Sequence, residues 1–350
     1  MSDAVDGSGP ESGVALTDPS SVAAAAQLAC LLEVSASKPG NVSPGRHFVD
    51  TRYEHFLASA AAIGGPLSGV AIRPLGDTIR MAMEATARFT RANTNLGIVL
   101  LLTPIARAAA EPVAFGFDDG KARATFPQTV SASANGASFE GHGTGPRQAH
   151  GGDEAPVREL LSATGTLRDA VRRVLDGTTV ADARQVYAAI RLASPGGLGR
   201  AEDQDVADEP TASLRDVMRL AAGRDRIARE YATDFEATFD SGVPALAGAR
   251  RDGLSWDDAV VETFLVLLAA APDTHIVRRG GATRAAEVSR QAAAALAAGG
   301  VRSVAGRRAI EAMDAALRDD RNTANPGTTA DLTAAAIFVY LLAGGWDRAA

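Results

Sequence analysis

Apolar residues recur at intervals of three and four along most of this chain. This is the period of an α-helix that packs one face against a core, and no run alternates with a period of two for long enough to predict a sheet. Helices are predicted at 21–34, 76–90, 98–109, 160–175, 180–192, 214–239, 256–271, 283–298, 304–317 and 329–342. We therefore predict an all-α fold in which a single large multi-helix domain spans 21–345.

Polar residues mark where the first two helices begin. Ser20 or Ser21 is the N-cap candidate of the first helix, because a short hydroxyl side chain accepts hydrogen bonds from the free N–H groups of a first turn. Thr51 and Glu54 stand at capping-box spacing ahead of an apolar run. This spacing predicts that the second helix opens near Asp50.

Two segments lack the helical period. Residues 1–20 are acidic and rich in Gly and Ser, and we predict that they form a disordered tail. Residues 111–153 are dominated by Gly, Ser, His and Thr, which predicts a long polar loop or insertion. The helices on both sides of this insertion are expected to share one core.

The composition indicates a cellular compartment and excludes some classes of partner. Cys30 is the only cysteine, so no intrachain disulfide can form and a reducing compartment fits best. The N-terminus lacks the basic and apolar regions of a signal peptide, and the longest apolar stretches fall short of a membrane span. Only two lysines are present and the net charge is −7, so no nucleic-acid partner is expected. We predict a cytoplasmic protein, for which a homodimer is one open option.

Four polar, Gly-rich or Pro-rich interruptions each abut an apolar helix. They lie at 33–47, 93–97, 273–281 and 325–331. Helix ends offer free N–H groups and a favourable dipole to anions, and Gly lets the backbone approach a phosphate closely. The pattern therefore suits a polyphosphate ligand.

Each interruption also has a simpler explanation. Standing alone, the KPGN stretch around Lys38 is also explained as a turn between helices, and the NTN stretch from Asn93 as an N-cap. Asp331 stands in the first turn of the last helix, where a carboxylate favours the dipole of any helix. The Gly-rich stretch at 194–206 is a loop with acids behind it or a flexible linker.

The segment from Asp273 to Arg279 has the most specific chemistry. It gathers a carboxylate, the imidazole of His275 and the guanidinium groups of Arg278 and Arg279 between two apolar helices. A carboxylate beside arginines is the arrangement that holds Mg²⁺ against phosphate oxygens. A surface salt-bridge cluster is the alternative.

Other chemistries find no support in the sequence. Cys30 lies in an Ala-rich helix with no neighbouring base, no G-x-S-x-G motif occurs, and the histidines do not show zinc-ligand spacing. Covalent hydrolase chemistry and a zinc site are therefore not expected.

Taken in order, the interruptions resemble the signature of the triphosphoribosyl-dephospho-CoA synthase family. The motifs are Glu33 with KPGN, residues 47–50 before FLASA, then NTNLG, DTHIVRRGG and NPGTTADLTAAA. VDTRYEHFLASA, RANTNLGIVLLL, SPGGLG with QDV, and RDRIAREYATDF resemble the archaeal branch of that family.

The resemblance implies an all-α transferase that joins the triphosphoribosyl group of ATP to the 2′-hydroxyl of dephospho-CoA and releases adenine. ATP and Mg²⁺ are then the expected ligands, and dephospho-CoA the expected acceptor. Glu33 and Asp50 are the candidate bases, and Asp273 and Asp331 the candidate metal ligands. The candidate nucleotide-binding residues are Lys38, Pro39, Gly40, Asn93, Thr94, Gly97, Arg278, Arg279, Gly280, Pro326 and Gly327.

Departures from the family pattern leave the acceptor open. Asn95 and Leu96 stand where the family has His and Lys, so the NTNLG loop has one positive charge fewer. His275 replaces an Asn, and Asn325 to Thr328 replace SPGG. An enzyme of the same fold that acts on another cofactor precursor, or a non-catalytic helical nucleotide-binding protein, is therefore the alternative.

Overall fold

The computed structural model describes residues 17–111, 154–319 and 321–346, with the backbone alone for 154–162. Most of the predicted tail and almost all of the predicted insertion lie outside these residues. Within them the all-α prediction is confirmed, since the regular structure consists of helices and the one bridge between extended residues is an isolated pair, Ser43 with Arg46.

Fourteen α-helices occupy the described part of the chain. In chain order they are α1 Pro19–Ser35, α2 Tyr53–Ser68, α3 Leu75–Ala87, α4 Leu96–Ala109, α5 Glu154–Asp176, α6 Val180–Ala193, α7 Leu214–Ala221, α8 Arg226–Ala232, α9 Val243–Arg251, α10 Trp256–Ala270, α11 Thr274–Gly280, α12 Ala282–Ala297, α13 Val304–Leu317 and α14 Gly327–Leu342. A π-helix at Ala237–Gly242 precedes α9, and a short 3-10 helix at Gly300–Arg302 precedes α13.

The first two helices begin at other residues than predicted. Asp18 caps α1, because its Oδ1 accepts hydrogen bonds from the N–H groups of Ser20 and Ser21 at 3.1 and 3.0 Å. Both serines therefore lie inside the helix, and the N-cap prediction was wrong. Helix α2 begins at Tyr53, three residues after Asp50, with the backbone N–H of Arg52 donating to a ring nitrogen of the third helical residue.

Two aspartates that cap helices account for two places where the helices differ from those that apolar periodicity predicts. The single helix predicted at 214–239 is interrupted because Asp225 accepts hydrogen bonds from the N–H groups of Ile227 and Ala228, which starts α8. Asp273 does the same for His275 and Ile276 and starts α11, where a loop was predicted. A short acidic side chain at an N-cap can therefore restart a helix within a stretch that apolar spacing presents as continuous or irregular.

Helices α4 and α14 lie at the centre of the fold. They are apolar on nearly all sides, and their side chains belong to one continuous hydrophobic cluster to which every helix of the described residues contributes. Helix α14 packs against α1, α4 and α10. Packing on all sides fixes the N-terminal ends of α4 and α14, which carry Gly97 and Asp331.

None of the helices in the described ranges is long and apolar enough to cross a membrane alone. The bent pair α10 and α11 passes the same test of length and composition when its members are combined.

Candidate functional site

A cavity of about 590 Å³ lies where several helix ends meet. Its wall includes the C-terminal end of α1 and residues from the first turns of α4, α8, α11 and α14. The volume is in the range of small-molecule sites. Because α4 and α14 are 14 and 16 residues long, the partial positive charge at their N-termini favours an anionic ligand on this side of the cavity.

Asp331 of α14 lies in close contact with Gly97 of α4. A Cβ atom built at Gly97 would overlap Oδ2 of Asp331, so only glycine lets the carboxylate lie against the α4 backbone. Both residues line the cavity. The carboxylate makes no hydrogen bond or ion pair with any residue in the described ranges, which leaves its oxygens available to a ligand.

The environment of Asp331 disfavours its ionised form. Burial raises the pKa of the Asp331 carboxyl well above its usual range, and the negative charges of Glu33, Asp273 and Asp225 raise it further, while Arg278 acts in the opposite direction. Such a carboxyl is stabilised by a proton or by a cation. A cation that accompanies a ligand into the cavity would restore its charge.

Glu33 and Lys38 form a buried ion pair beside the cavity. The Lys38 ammonium lies 3.0 Å from Oε1 of Glu33 and also donates to the backbone carbonyls of Glu33 and Ala36. Burial raises the pKa of Glu33, and Lys38 opposes this rise. Lys38 contacts only one oxygen of Glu33, so Oε2 has no partner among the described residues.

Arg278 is held by Asp225, which also caps α8. Nη1 of Arg278 donates to Oδ2 of Asp225 at 2.5 Å. The second terminal nitrogen, Nη2, makes no hydrogen bond with the described residues, and both side chains line the cavity. The ion pair therefore orients one guanidinium with an unused donor toward the ligand space.

His275 presents a hydrogen-bond acceptor to the same cavity. Its Nδ1 lies 2.9 Å from the carbonyl oxygen of Asn325, and because a carbonyl only accepts, Nδ1 carries the proton. Burial lowers the pKa of His275, against the opposing effect of Asp273. In the neutral ring Nε2 is then the acceptor, and it has no partner in the described part of the chain.

The structure brings together about half of the residues that the sequence proposed for the site. Those that line the cavity are Glu33, Asn93, Thr94, Gly97, Arg278, Gly327 and Asp331. They come from separate interruptions of the chain, so the expectation that these interruptions converge on one pocket fits the geometry.

The KPGN turn supports the wall from behind. Lys38 is fully enclosed by its pairing with Glu33, and the N–H of Gly40 donates to Oδ1 of Asp314 at 2.8 Å and not toward the cavity. Gly40, at a φ of +76°, packs against Leu317 and Pro326. Neither Pro39 nor Pro326 contributes to the lining. The suggested phosphate contacts of this turn are therefore replaced by a structural role, with Asn41 as its lining residue.

The remaining proposed residues also lie off the cavity. Asp50 is exposed in the loop before α2. Both oxygens of Asp273 are used within the protein, since Oδ1 caps α11 and Oδ2 accepts from the N–H and hydroxyl of Thr329 at 2.6 and 2.7 Å. Arg279 is turned outward and donates to the carbonyl of Arg321, and Gly280 follows it. Asp273 thus joins α11 to α14 and has no oxygen left for a metal ion.

Sequence reasoning missed Arg224 and Asp225 as cavity residues, and it missed the wall that α6 and α7 form. The Gly-rich stretch at 194–206, where the sequence offered a loop with acids behind it, completes this wall. The signal for Asp225 was present, because a Gly-Arg-Asp sequence in the middle of a long predicted helix is a typical break followed by an N-cap. The part of the wall formed by α6 and α7 had no comparable signal, since its residues are ordinary apolar positions of amphipathic helices.

One carboxylate of this cavity, that of Asp331, is suited to bind Mg²⁺ together with a ligand. The described residues contain no group of three or more His, Cys, Asp or Glu side chains able to hold a metal ion. Mg²⁺ in nucleotide sites commonly uses one or two carboxylates together with substrate phosphates and water, however. The unpartnered carboxylate of Asp331 meets that requirement, and Asp273 does not.

Fold and cavity define an all-α protein with a site suited to an anionic ligand. The family model described as CitG: ATP:dephospho-CoA triphosphoribosyl transferase matches residues 19–349 of this chain. The chain therefore belongs to this family.

Similar proteins carry related names. A Pseudomonas syringae pv. syringae protein named probable 2-(5''-triphosphoribosyl)-3'-dephosphocoenzyme-A synthase is 30% identical over 189 residues, which are 53% of this chain and 63% of that protein. A Klebsiella pneumoniae 2-(5''-triphosphoribosyl)-3'-dephosphocoenzyme-A synthase is 33% identical over 102 residues, 29% of this chain and 36% of that protein. The matches thus span less than two thirds of these relatives.

A solved structure shares the fold. It is a crystal structure of a protein from Archaeoglobus fulgidus that is assigned as a triphosphoribosyl-dephospho-CoA synthase. The TM-score is 0.54 at 24% sequence identity, and the match covers 83% of this chain and 99% of that one. At this identity the likeness concerns the fold.

Proposed function

We propose that the protein is a transferase that joins the 5-triphosphoribosyl group of ATP to the 2′-hydroxyl of 3′-dephospho-CoA and releases adenine. Family membership supports the reaction class. The observation that carries the proposal is the convergence of Asp331, Arg278 and Glu33 on one cavity beside the first turns of α4 and α14. One cavity then has the groups for both an anionic nucleotide and a hydroxyl acceptor.

The triphosphate would bind at the ends of α4 and α14. Arg278 supplies its unused donor to a phosphate oxygen, and Gly97 and Gly327 allow the backbone to approach closely. Asp331 is the residue that would hold Mg²⁺. When bound, the metal ion would neutralise phosphate charge and supply the countercharge that the Asp331 carboxylate lacks in the protein.

Glu33 is the candidate base for the transfer. The acceptor oxygen forms a bond to C1 of the ribose while the bond from C1 to adenine breaks, and adenine takes the electron pair. The hydroxyl proton goes to Oε2 of Glu33, and adenine is released neutral after it takes up a proton from water. Lys38 holds Glu33 in place through Oε1. Asn93 and Thr94 are the candidate hydrogen-bond partners of the adenine ring.

Three further assignments belong to this proposal. Membership in the archaeal branch rests on the sequence motifs, whereas the curated relatives named above are bacterial. A cytoplasmic location agrees with the single cysteine, Cys30, which is buried. The oligomeric state is left to measurement, with a homodimer as one option.

The product of the reaction tests the proposal. Purified protein incubated with ATP, Mg²⁺ and dephospho-CoA should release adenine and convert dephospho-CoA to an adduct heavier by one triphosphoribosyl group, measured by liquid chromatography and mass spectrometry. Failure to release adenine under these conditions would contradict the proposed transfer. Adenine release that requires another cofactor precursor would support the same fold with a different acceptor.

A further inference from the structure

The cavity has a second wall with a different chemistry from the phosphate side. Helices α6 and α7 contribute apolar side chains to it, and most of them are buried. Those at this wall are Val186, Tyr187, Ile190, Val217, Met218 and Leu220. Leu220 is 61% exposed although it lines the cavity, so an apolar ligand group that covers it would be stabilised by burial.

The edge of this wall is acidic. Glu202 and Asp203 line the cavity, are exposed, and make no hydrogen bond or ion pair with the described residues. Arg224 is the cation on the same side, and it lies near the carboxylate of Asp205. A triphosphate placed here would face two unpaired carboxylates, whereas at Arg278 it meets helix N-termini and an unused donor. The unpaired carboxylates therefore favour a polyphosphate at Arg278 over one at the apolar wall, although the loop itself reaches Arg278 through Gly197.

Hydrogen bonds hold the loop that carries Glu202 and Asp203. The hydroxyl of Tyr187 donates to the carbonyl of Gln204 at 2.5 Å, and Arg191 donates to the carbonyl of Val206 at 2.6 Å. Asp205 accepts from the N–H groups of Ala201 and Ala207 at 2.6 and 2.8 Å. Two hydrogen bonds to α6 and two within the loop therefore hold this part of the wall in place.

We infer that the wall of α6, α7 and residues 195–206 is the subsite for an uncharged, largely apolar arm of the acceptor. This inference rests on the proposed function. In dephospho-CoA the segment with this chemistry is the pantetheine arm, a neutral chain of methyl, methylene, hydroxyl and amide groups that ends in a thiol. With the arm on this wall and the triphosphate at Arg278, the two substrates occupy chemically different parts of one cavity.

Pantetheine alone is the probe for this subsite. Its binding to the full chain in the presence of saturating ATP and Mg²⁺ is measured by saturation-transfer NMR and isothermal titration calorimetry. The variant Leu220→Glu adds a negative charge at an exposed position of the wall and should weaken pantetheine binding at least 10-fold, while Leu220→Met stays within 2-fold of the wild type. The control Val304→Glu changes a side chain that is 70% exposed on α13, away from the cavity, and should leave binding unchanged.

Two results would overturn the inference. One is an absence of pantetheine binding to the wild type, or equal binding by Leu220→Glu. The other is displacement of bound pantetheine by adenosine with ATP omitted, because the apolar wall would then be the nucleobase site. Adenine release with dephospho-CoA in either case would retain the proposed function and reject the subsite. Pantetheine binding that is lost in Leu220→Glu, without adenine release, would support the subsite and reject the reaction.

Discussion

The carboxylate of Asp331, the fifth residue of α14, lies directly against the backbone of Gly97 near the N-terminus of α4. No side chain fits between them. We expect Gly97→Ala to displace the carboxylate and to lower the free energy of unfolding by about 1–3 kcal/mol, the usual cost of an extra methyl in a tight contact. Binding of ATP with Mg²⁺ should weaken because the displaced carboxylate no longer faces the ligand.

Gly65→Ala is the matched control for this variant. Gly65 also lies within a helix, α2, but a Cβ built there meets no atom within 4 Å. The control should leave nucleotide binding unchanged and increase stability by up to about 1 kcal/mol, since Ala has the higher helix propensity. Urea denaturation and calorimetry measure both quantities. Unchanged ATP binding by Gly97→Ala would show that the carboxylate position does not matter for the ligand.

Asp331 should destabilise the ligand-free protein at neutral pH. Its pKa in the folded state is raised by burial and by neighbouring carboxylates, so the folded protein binds more protons than the unfolded chain above about pH 3.8. Stability contributed by the protonated group is fully present below that pH and is lost as the pH rises through the folded-state pKa. Removing the charge should therefore increase stability at pH 8.

The variant Asp331→Asn tests this in metal-free buffer. We expect it to be more stable than the wild type by on the order of 1 kcal/mol at pH 8, with a smaller difference at pH 5. The variant should also lose most of the stabilisation that ATP with Mg²⁺ gives the wild type in a thermal shift assay. A variant that is less stable at pH 8 and still stabilised by the ligand would contradict both roles of the carboxylate.

The helices show which parts of the fold the apolar periodicity of the sequence predicts. Helix α13 lies at the residues that periodicity predicts, 304–317, because its apolar spacing and the capping hydroxyl of Ser303 agree. The break at Asp225 and the start at Asp273 were not predicted, since one capping side chain outweighs the apolar period around it. Whether the cap or the apolar period determines the helix depends on backbone hydrogen bonds, which the spacing of residues does not specify.

The site was harder to predict than the fold. Arg278 and Arg279 are adjacent in the sequence and chemically equivalent, but on helix α11 neighbouring side chains point about 100° apart, so one lines the cavity and the other donates to Arg321. Asp273 has the residue type of a metal ligand, and its oxygens are occupied by its own backbone neighbours and Thr329. The sequence shows the chemical type of each side chain, but it does not show the direction in which the side chain points.

Lys38 should act on stability through Glu33. Removing one member of a buried ion pair leaves an uncompensated charge, so Lys38→Met is expected to lower the free energy of unfolding by about 3–5 kcal/mol. The double variant Glu33→Gln with Lys38→Met should recover a large part of this loss, because no buried charge is left unpaired. Urea denaturation of the two single variants and the double variant provides the cycle. Additive losses would contradict the coupling of the two residues.

The neighbouring arginines of α11 provide the most direct test that this cavity binds a metal-bound triphosphate. The measurement is the Kd for ATP in the presence of Mg²⁺, obtained by isothermal titration calorimetry for the wild type, Arg278→Met and Arg279→Met. The Arg278→Met variant should bind ATP roughly 10- to 100-fold more weakly than the wild type, because a charge-assisted hydrogen bond is lost. The Kd of Arg279→Met, whose side chain lies outside the cavity, should stay within about 2-fold of the wild-type value. A wild type that does not bind, or two variants that weaken binding equally, would contradict the assignment of the cavity.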